Sequence, residues 1–354
     1  MFVPVAALWV LAPYAAECSW GGFALTDYPA VILFLGPLYG GAAVLIRETV
    51  RRIGGGWPAI VLLAAAFGVY MAGLVDQSLF NLDYLDDTEF AGMMDDPRDT
   101  LVPWVGVSLG DALNFVGNHV ALSMCAPIAV IESFVRPARR TEPWLGRWGL
   151  GVVFVLFVLG SLLIHADAAK GFGAAPHQLG IAVVTAGALV AAALLIGRRT
   201  AGRAAALDGD AVLDGPAALD GDGNGDGDGD GAGQRRAPGA VWVGVVTLAA
   251  AACPGLAPGW AGPAIYVAAI VTASVIVVRW SRRPGWGQQH VLAAWSGPLV
   301  LAAGTAYLVP NYAPASPAQA LVGDLAITVI TLSLVIGAAI AARPAKIGVW
   351  RRSG

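Results

Sequence analysis

Apolar runs long enough to cross about 30 Å of hydrocarbon, roughly 20 residues each, recur ten times in this chain of 354 residues. They lie near 2–16, 28–46, 57–79, 108–134, 148–165, 178–197, 239–255, 261–278, 288–309 and 318–342. A soluble domain could not cover so many. Only 13% of the residues are charged and 57% are hydrophobic, against about 25% charged in an ordinary soluble domain. Because a bilayer offers no hydrogen bonds to backbone groups, the fold class this implies is all-α, a polytopic transmembrane helix bundle of about ten spans. The first run is short and has no basic residue before it, so a cleaved signal peptide is not expected.

The connections between runs alternate between Arg-rich and Arg-poor without a break. Segments 47–52, 135–147, 198–238, 279–287 and the tail from Arg343 hold 19 of the 21 Lys and Arg, leaving Arg98 and Lys170 outside them. Since cytoplasmic loops are the basic ones, both termini are expected in the cytoplasm, in the inner membrane of a bacterium. The opposite face carries the acidic loop with Asp83, Asp86, Asp87, Glu89, Asp95, Asp96 and Asp99. Trp57, Trp144, Trp148, Trp242, Trp260, Trp280 and Trp286 fall at the ends of runs and read as an interfacial aromatic belt.

The organisation expected is a six-span unit over 1–197, a disordered Asp/Gly-rich linker over 198–238 and a four-span unit with a basic tail over 239–354. The linker core at Asp220 to Gly231 lacks the bidentate Glu that a calcium loop needs at its twelfth position, and alternating Gly leaves nothing to pack. The net charge of −3 carries little meaning, because eight Asp sit between Asp208 and Asp230. Cys18, Cys125 and Cys253 have no metal-ligand spacing. Neither a cofactor nor a metal is implied.

The candidate site residues concentrate in the run from Leu109 to Phe134. At about 100° per residue Asp111, Asn114, Asn118, Cys125 and Glu132 share one stripe, which must face protein or water, with His119 off to its side and Pro127 removing one backbone donor. Asp76 and Gln77 end the third run, His165 and Asp167 the fifth, and His177 begins the sixth; with Asp111 and Asn114 these all fall at the acidic end. Ionisable groups in spans are costly, about 2.5–3.5 kcal/mol at a helix centre, and therefore read as functional candidates. The expectation is a vestibule or polar pathway lined by Asp76, Asp111, Asn114, Asn118, His119, His165 and Glu132. Against it stands the simpler reading that these groups are interfacial or hydrogen-bond neighbouring helices. Glu48 with Arg52 and Glu132 with Arg136 are spaced as i, i+4 pairs and read as surface orientation devices.

The run from Arg47 to Met71, RETVRRIGGGWPAIVLLAAAFGVYM, resembles the core of the CAAX-protease and bacteriocin-processing type of intramembrane protease. That pattern is a Glu pair, three residues, Arg, and later a Phe with His four residues on. Here Arg47 and Glu48 stand at the pair, Arg52 and Phe67 match, and Met71 stands in place of His. A second Phe with His four on, Phe115 and His119, follows without a Glu pair. The resemblance implies a degenerate relative of such proteases and assigns no catalytic residue. The general pattern is also similar to uncharacterised multi-pass proteins of high-GC bacteria.

Three classes of function follow. Transport or handling of a small solute or ion through the six-span unit is the leading one. A membrane enzyme, protease-like or metal-dependent, would use His119 with Asp111, Asp76 or Glu132. A non-catalytic accessory subunit would use the linker as its contact. The implied partners are the lipid bilayer and a small solute or ion; nothing points to nucleic acid, and no protein partner is indicated.

Overall fold

A computed structural model describes residues 2–93, 95–168, 171–213, 235–312 and 315–343, with only the helical backbone described over 202–213. The ten apolar runs become ten helices: α1 (Phe2–Cys18), α2 (Leu25–Arg52), α3 (Trp57–Val75), α4 (Leu109–Phe134), α5 (Arg147–Ala168), α6 (Pro176–Leu213), α7 (Ala240–Ala251), α8 (Ala261–Ser281), α9 (Gln288–Leu308) and α10 (Pro317–Ala341). Eight are long and apolar enough to cross a membrane, whereas α1 and α7 are shorter apolar helices. The only strands among the described residues are a two-stranded hairpin, β1 (Leu101–Val102) and β2 (Val107–Ser108), in the acidic loop. The linker core falls within 214–234, outside the described residues.

The helices sort by burial. In α3 61% of the most apolar window is buried, and in α6 only 11%, so α3 and α4 are central and the later helices present Val, Leu and Ile to lipid. With no hydrophobic drive between helices in a bilayer, close approach of small residues holds such contacts together. Gly40 sits against the backbone of Trp9, Gly160 against Pro37 and Leu38, and Gly197 against Ile53. The later helices pack on the earlier ones: Gly337 of α10 meets the Phe134 ring, and the Gln288 amide of α9 donates to Ala129 O and Ser133 Oγ of α4, both at 3.1 Å.

The connections gather at two ends, grouped as the Arg count predicts. At the basic end Arg52 donates to Leu145 O, Gly54 lies against Ala201, and Ala237 N donates to Pro284 O. At the acidic end Trp20, Phe23, Phe90 and Tyr312 form one aromatic cover, with ring centroids 4.8–5.7 Å apart, joining three separate connections. There too His165 Nδ1 lies 2.8 Å from Val75 O, and Gln77 Oε1 accepts from Ala174 N. Gln77 has φ of 57°, a left-handed conformation uncommon outside Gly. It turns the chain out of α3 into the acidic loop.

Four helices contain a π-helical turn: Tyr14–Cys18 in α1, Gly36–Gly40 in α2, Met71–Val75 in α3 and His119–Cys125 in α4. Such turns are rare and are frequently found at functional sites. Each widens the helix and rotates every face beyond it, so a wheel drawn at 3.6 residues per turn fails across the segment. The proposed stripe accordingly divides. Asn118 is exposed, whereas Cys125 and Glu132 are buried.

Candidate functional site: an interior Glu–Tyr–His group and a basic-end clasp

Three of the four π-turns bring one polar group together. Tyr39, only 2% exposed, donates from Oη to Glu17 Oε1 at 2.6 Å, a short bond of the strength expected with a carboxylate. The Tyr39 ring lies 5.8 Å from the imidazole of His119 at an interplanar angle of 32°. Phe67 closes the triangle edge-on, 5.9 Å from Tyr39 and 5.7 Å from His119. His119 Nδ1 lies 3.2 Å from Ser123 Oγ one turn further on. Gly68 makes room for α4, since a Cβ there would stand 3.1 Å from Val116 O and 3.3 Å from His119 Cβ. Glu17 and His119 are both partly exposed.

Toward the acidic end this group continues into Asp76, Tyr84 and Tyr312. Asp76 is buried, its Oδ1 accepting from Ser78 N at 2.9 Å. Burial holds the Tyr84 phenol well above its ordinary pKa, and the charges of Asp76, Glu17 and Asp167 add to the effect. Burial also raises Tyr312, with Glu17 and Asp76 adding again. The charges of Glu17 and Asp76 therefore act on the same two phenols. No ion pair among the described residues includes either carboxylate. A cavity of about 50 Å³ lined by Tyr84, Asp86, Asp95, Asp111 and Phe115 lies over α4 at this end.

Of the residues singled out in the sequence, Asp76 stands at the end of α3 next to Val75, whose carbonyl His165 contacts, Asp111 lines the acidic-end cavity, and His119 reaches the interior group. Asn114 Oδ1 accepts from the Asn118 amide at 3.0 Å, on the exposed flank. Glu132 is elsewhere, about 20 Å along α4 from His119 at 1.5 Å per residue. Glu17 went unrecognised because it directly follows the first apolar run and reads as its interfacial cap. Its signal was a carboxylate in a segment otherwise without charge. Among the described residues no three His, Cys, Asp or Glu are grouped as a metal would require.

Glu132 belongs to a clasp at the basic end. Arg51 grips it with a two-pronged contact, Nε to Oε1 at 3.0 Å and Nη2 to Oε2 at 2.7 Å, while Arg47 Nε adds a third bond at 3.2 Å. Arg47 also donates to Glu48 Oε1 at 2.7 Å and to Arg140 O at 2.6 Å, and its guanidinium lies 3.5 Å over the Trp144 ring. The Glu48 carboxylate accepts from the backbone of Trp144 and Leu145, at 2.8 and 3.0 Å. Arg47, Glu48 and Glu132 are at most 1% exposed. No buried side-chain polar atom among the described residues lacks a partner.

This clasp corrects two expectations. Glu48 and Arg52 do pair, at 3.4 Å, but Glu48 is buried and mainly ties the backbone of Trp144 and Leu145 to α2. Glu132 and Arg136 do not pair: Val135 leaves the helix with ψ of 140°, Arg136 points out exposed, and Glu132 turns to α2 instead. Trp144 is likewise no belt residue, being 5% exposed beneath Arg47. Trp148, Trp242 and Trp260 are exposed as a belt requires.

The model of an uncharacterized membrane protein family matches residues 6–350. The chain belongs to that family. The match runs from α1 through α10 and so extends far beyond the run that resembles a protease core. No curated protein and no solved structure matches the chain significantly. It is an integral, multi-pass membrane protein by family and by its apolar helices.

Proposed function

We propose that the chain handles a small cationic solute or ion at the Glu17–Tyr39–His119 group, taking it in from the acidic end. The observation that carries this reading is the pair of carboxylates, Glu17 bonded to the Tyr39 phenol and the buried Asp76, neither of them in an ion pair among the described residues. A carboxylate without a counter-charge in a low-dielectric interior is costly, and a cation relieves that cost. Aromatic faces such as Tyr39 and Phe67 favour the same kind of guest. The acidic loop and the cavity at Asp111 supply an attracting field at the mouth. Polar groups at broken or irregular helices are where many transporters bind substrate.

The test is flux of monovalent metal ions and small organic ammonium ions through reconstituted protein. Glu17→Gln is expected to lower flux about tenfold or more, as loss of a charge-assisted contact worth about 1.5–3 kcal/mol implies. Glu142→Gln, at an exposed position of the basic-end connection, is expected to leave flux unchanged. Equal flux in wild type and Glu17→Gln would end the proposal.

An acid–base membrane enzyme is the second reading, favoured by the carboxylate–phenol bond lying beside an imidazole. The protease-like variant of it has less support. Of the residues that carry the resemblance, Phe67 touches His119, whereas Arg47, Glu48 and Arg52 are bound into the basic-end clasp. The setting we propose is the inner membrane of a high-GC bacterium, which the preference for Arg over Lys and the wealth of Ala and Gly support.

A further inference from the structure

The basic-end clasp joins two half-helices of particular construction. Its charged side chains come from Gly41–Arg52 of α2 and from Ala126–Phe134 of α4. Each half follows directly on a π-turn, Gly36–Gly40 and His119–Cys125. Each break is reinforced by proline, Pro37 within the first and Pro127 just past the second, which removes a backbone donor where the helix is already irregular. The two π-turns also carry Tyr39 and His119. Any swing of either half-helix about its break therefore moves a side chain of the interior group.

The two ends of the bundle are built differently. On the acidic side of the clasp Glu17 and His119 are partly exposed. At the basic end Arg47, Glu48, Glu132 and Ser133 are at most 1% exposed and Arg51 8%, and no buried side-chain polar atom among the described residues lacks a partner. Ion pairs of this kind add little net stability relative to a well-packed apolar core, because desolvation offsets the attraction. What they supply is an all-or-none contact: either the fork of Arg51 meets Glu132 or both charges must find water. That is the character of a two-state element.

We propose that the Arg47–Arg51–Glu132 clasp is the basic-end gate of the interior group, opening when the half-helices 41–52 and 126–134 part about their π-turns. Glu48 and the backbone of Trp144 and Leu145 move with the α2 half, since the two Glu48 bonds to Trp144 N and Leu145 N tie them to it. The closed clasp with an accessible acidic end is one of two states, and the other exposes the group to the basic side. This inference rests on the reading of the group as a solute site. It concerns how access alternates and not what is bound.

The test uses the full chain with Cys18, Cys125 and Cys253 replaced by Ala and one Cys placed at Ala129, fully buried and one turn from Glu132. In membrane vesicles with the basic end facing the bath, labelling by a membrane-impermeant maleimide is followed without any solute. The charge-neutral double variant Glu132→Gln/Arg51→Gln is expected to raise the labelling rate on the order of tenfold, by shifting the population toward the open state. A Cys at Ile60, buried in α3 and outside the hinged halves, is expected to stay unlabelled. If the double variant does not fold, Arg51→Lys keeps the charge, loses the fork and should give a smaller rise. Unchanged labelling at 129 in a folded variant, or an equal rise at 60, overturns the gate. Because no solute is present, these outcomes are separate from the flux experiment: flat labelling with intact flux removes the gate alone, and raised labelling without flux of any cation removes the solute reading alone.

Discussion

Glu132→Ala is expected to be the most damaging single change in the chain, lowering stability by about 3–5 kcal/mol. The change deletes the one carboxylate held by both Arg47 and Arg51 and leaves two guanidinium groups facing each other at the basic end. Arg47 is fully buried and keeps only Glu48 as counter-charge. Against a total folding stability of about 5–15 kcal/mol for typical domains, such a loss is a large fraction of the whole. The expected result is a strong drop in melting temperature in detergent and little folded protein by size exclusion. Arg98→Ala removes ion pairs more than half exposed on both sides and should leave stability near wild type, because solvent screens such pairs. Similar melting of Glu132→Ala and wild type would mean that the clasp is not a structural contact.

Gly40→Val is the second large effect, and its cause is steric. A Cβ at Gly40 would stand 2.5 Å from Trp9 O, 2.8 Å from Trp9 Cα and 3.0 Å from Trp9 C. All three are backbone atoms of α1, so no side-chain rotation relieves the clash. Overpacking of this kind costs about 1–3 kcal/mol, and here the relief must come from moving α1 away from the π-turn that carries Tyr39. Because Glu17 is on α1, the Tyr39–Glu17 bond of 2.6 Å should break as well. Gly40→Val is therefore expected to lower both the melting temperature and cation flux, whereas Gly187→Val, with open space around it, should leave both near wild type. A Gly40→Val protein with normal stability and flux would contradict the close packing of α1 on α2.

The spans were legible because hydrocarbon thickness sets a length scale of about 20 residues that any apolar run announces. The grouping of connections into two ends was legible because Arg marks one of them. What the sequence hid has definite physical reasons. The stripe through Asn118 failed since the π-turn at His119–Cys125 rotates the lower half of α4 away from a regular wheel, and nothing local in HVALSMC announces a wide turn. The partners of Glu132 were missed because Arg47 and Arg51 are more than 80 positions away, while the i, i+4 rule looks only along one helix. Trp144 looked interfacial by position, yet the bonds of Glu48 to the adjacent backbone draw it under Arg47. Glu17 was hidden by its place at the margin of a short apolar run, although it supplies the carboxylate around which the interior group is assembled.

The most direct measurement is thiol accessibility from the two sides of the membrane. Single Cys residues at positions 17 and 119, in a chain otherwise free of Cys, are exposed in turn to a membrane-impermeant reagent at the acidic end and at the basic end. Both positions are partly exposed and lie on the acidic side of the closed clasp, so both should react from the acidic end and stay protected from the basic end. Folded protein that remains unlabelled at 119 from the acidic side, or that labels there only from the basic side, would contradict an interior group open to the acidic end.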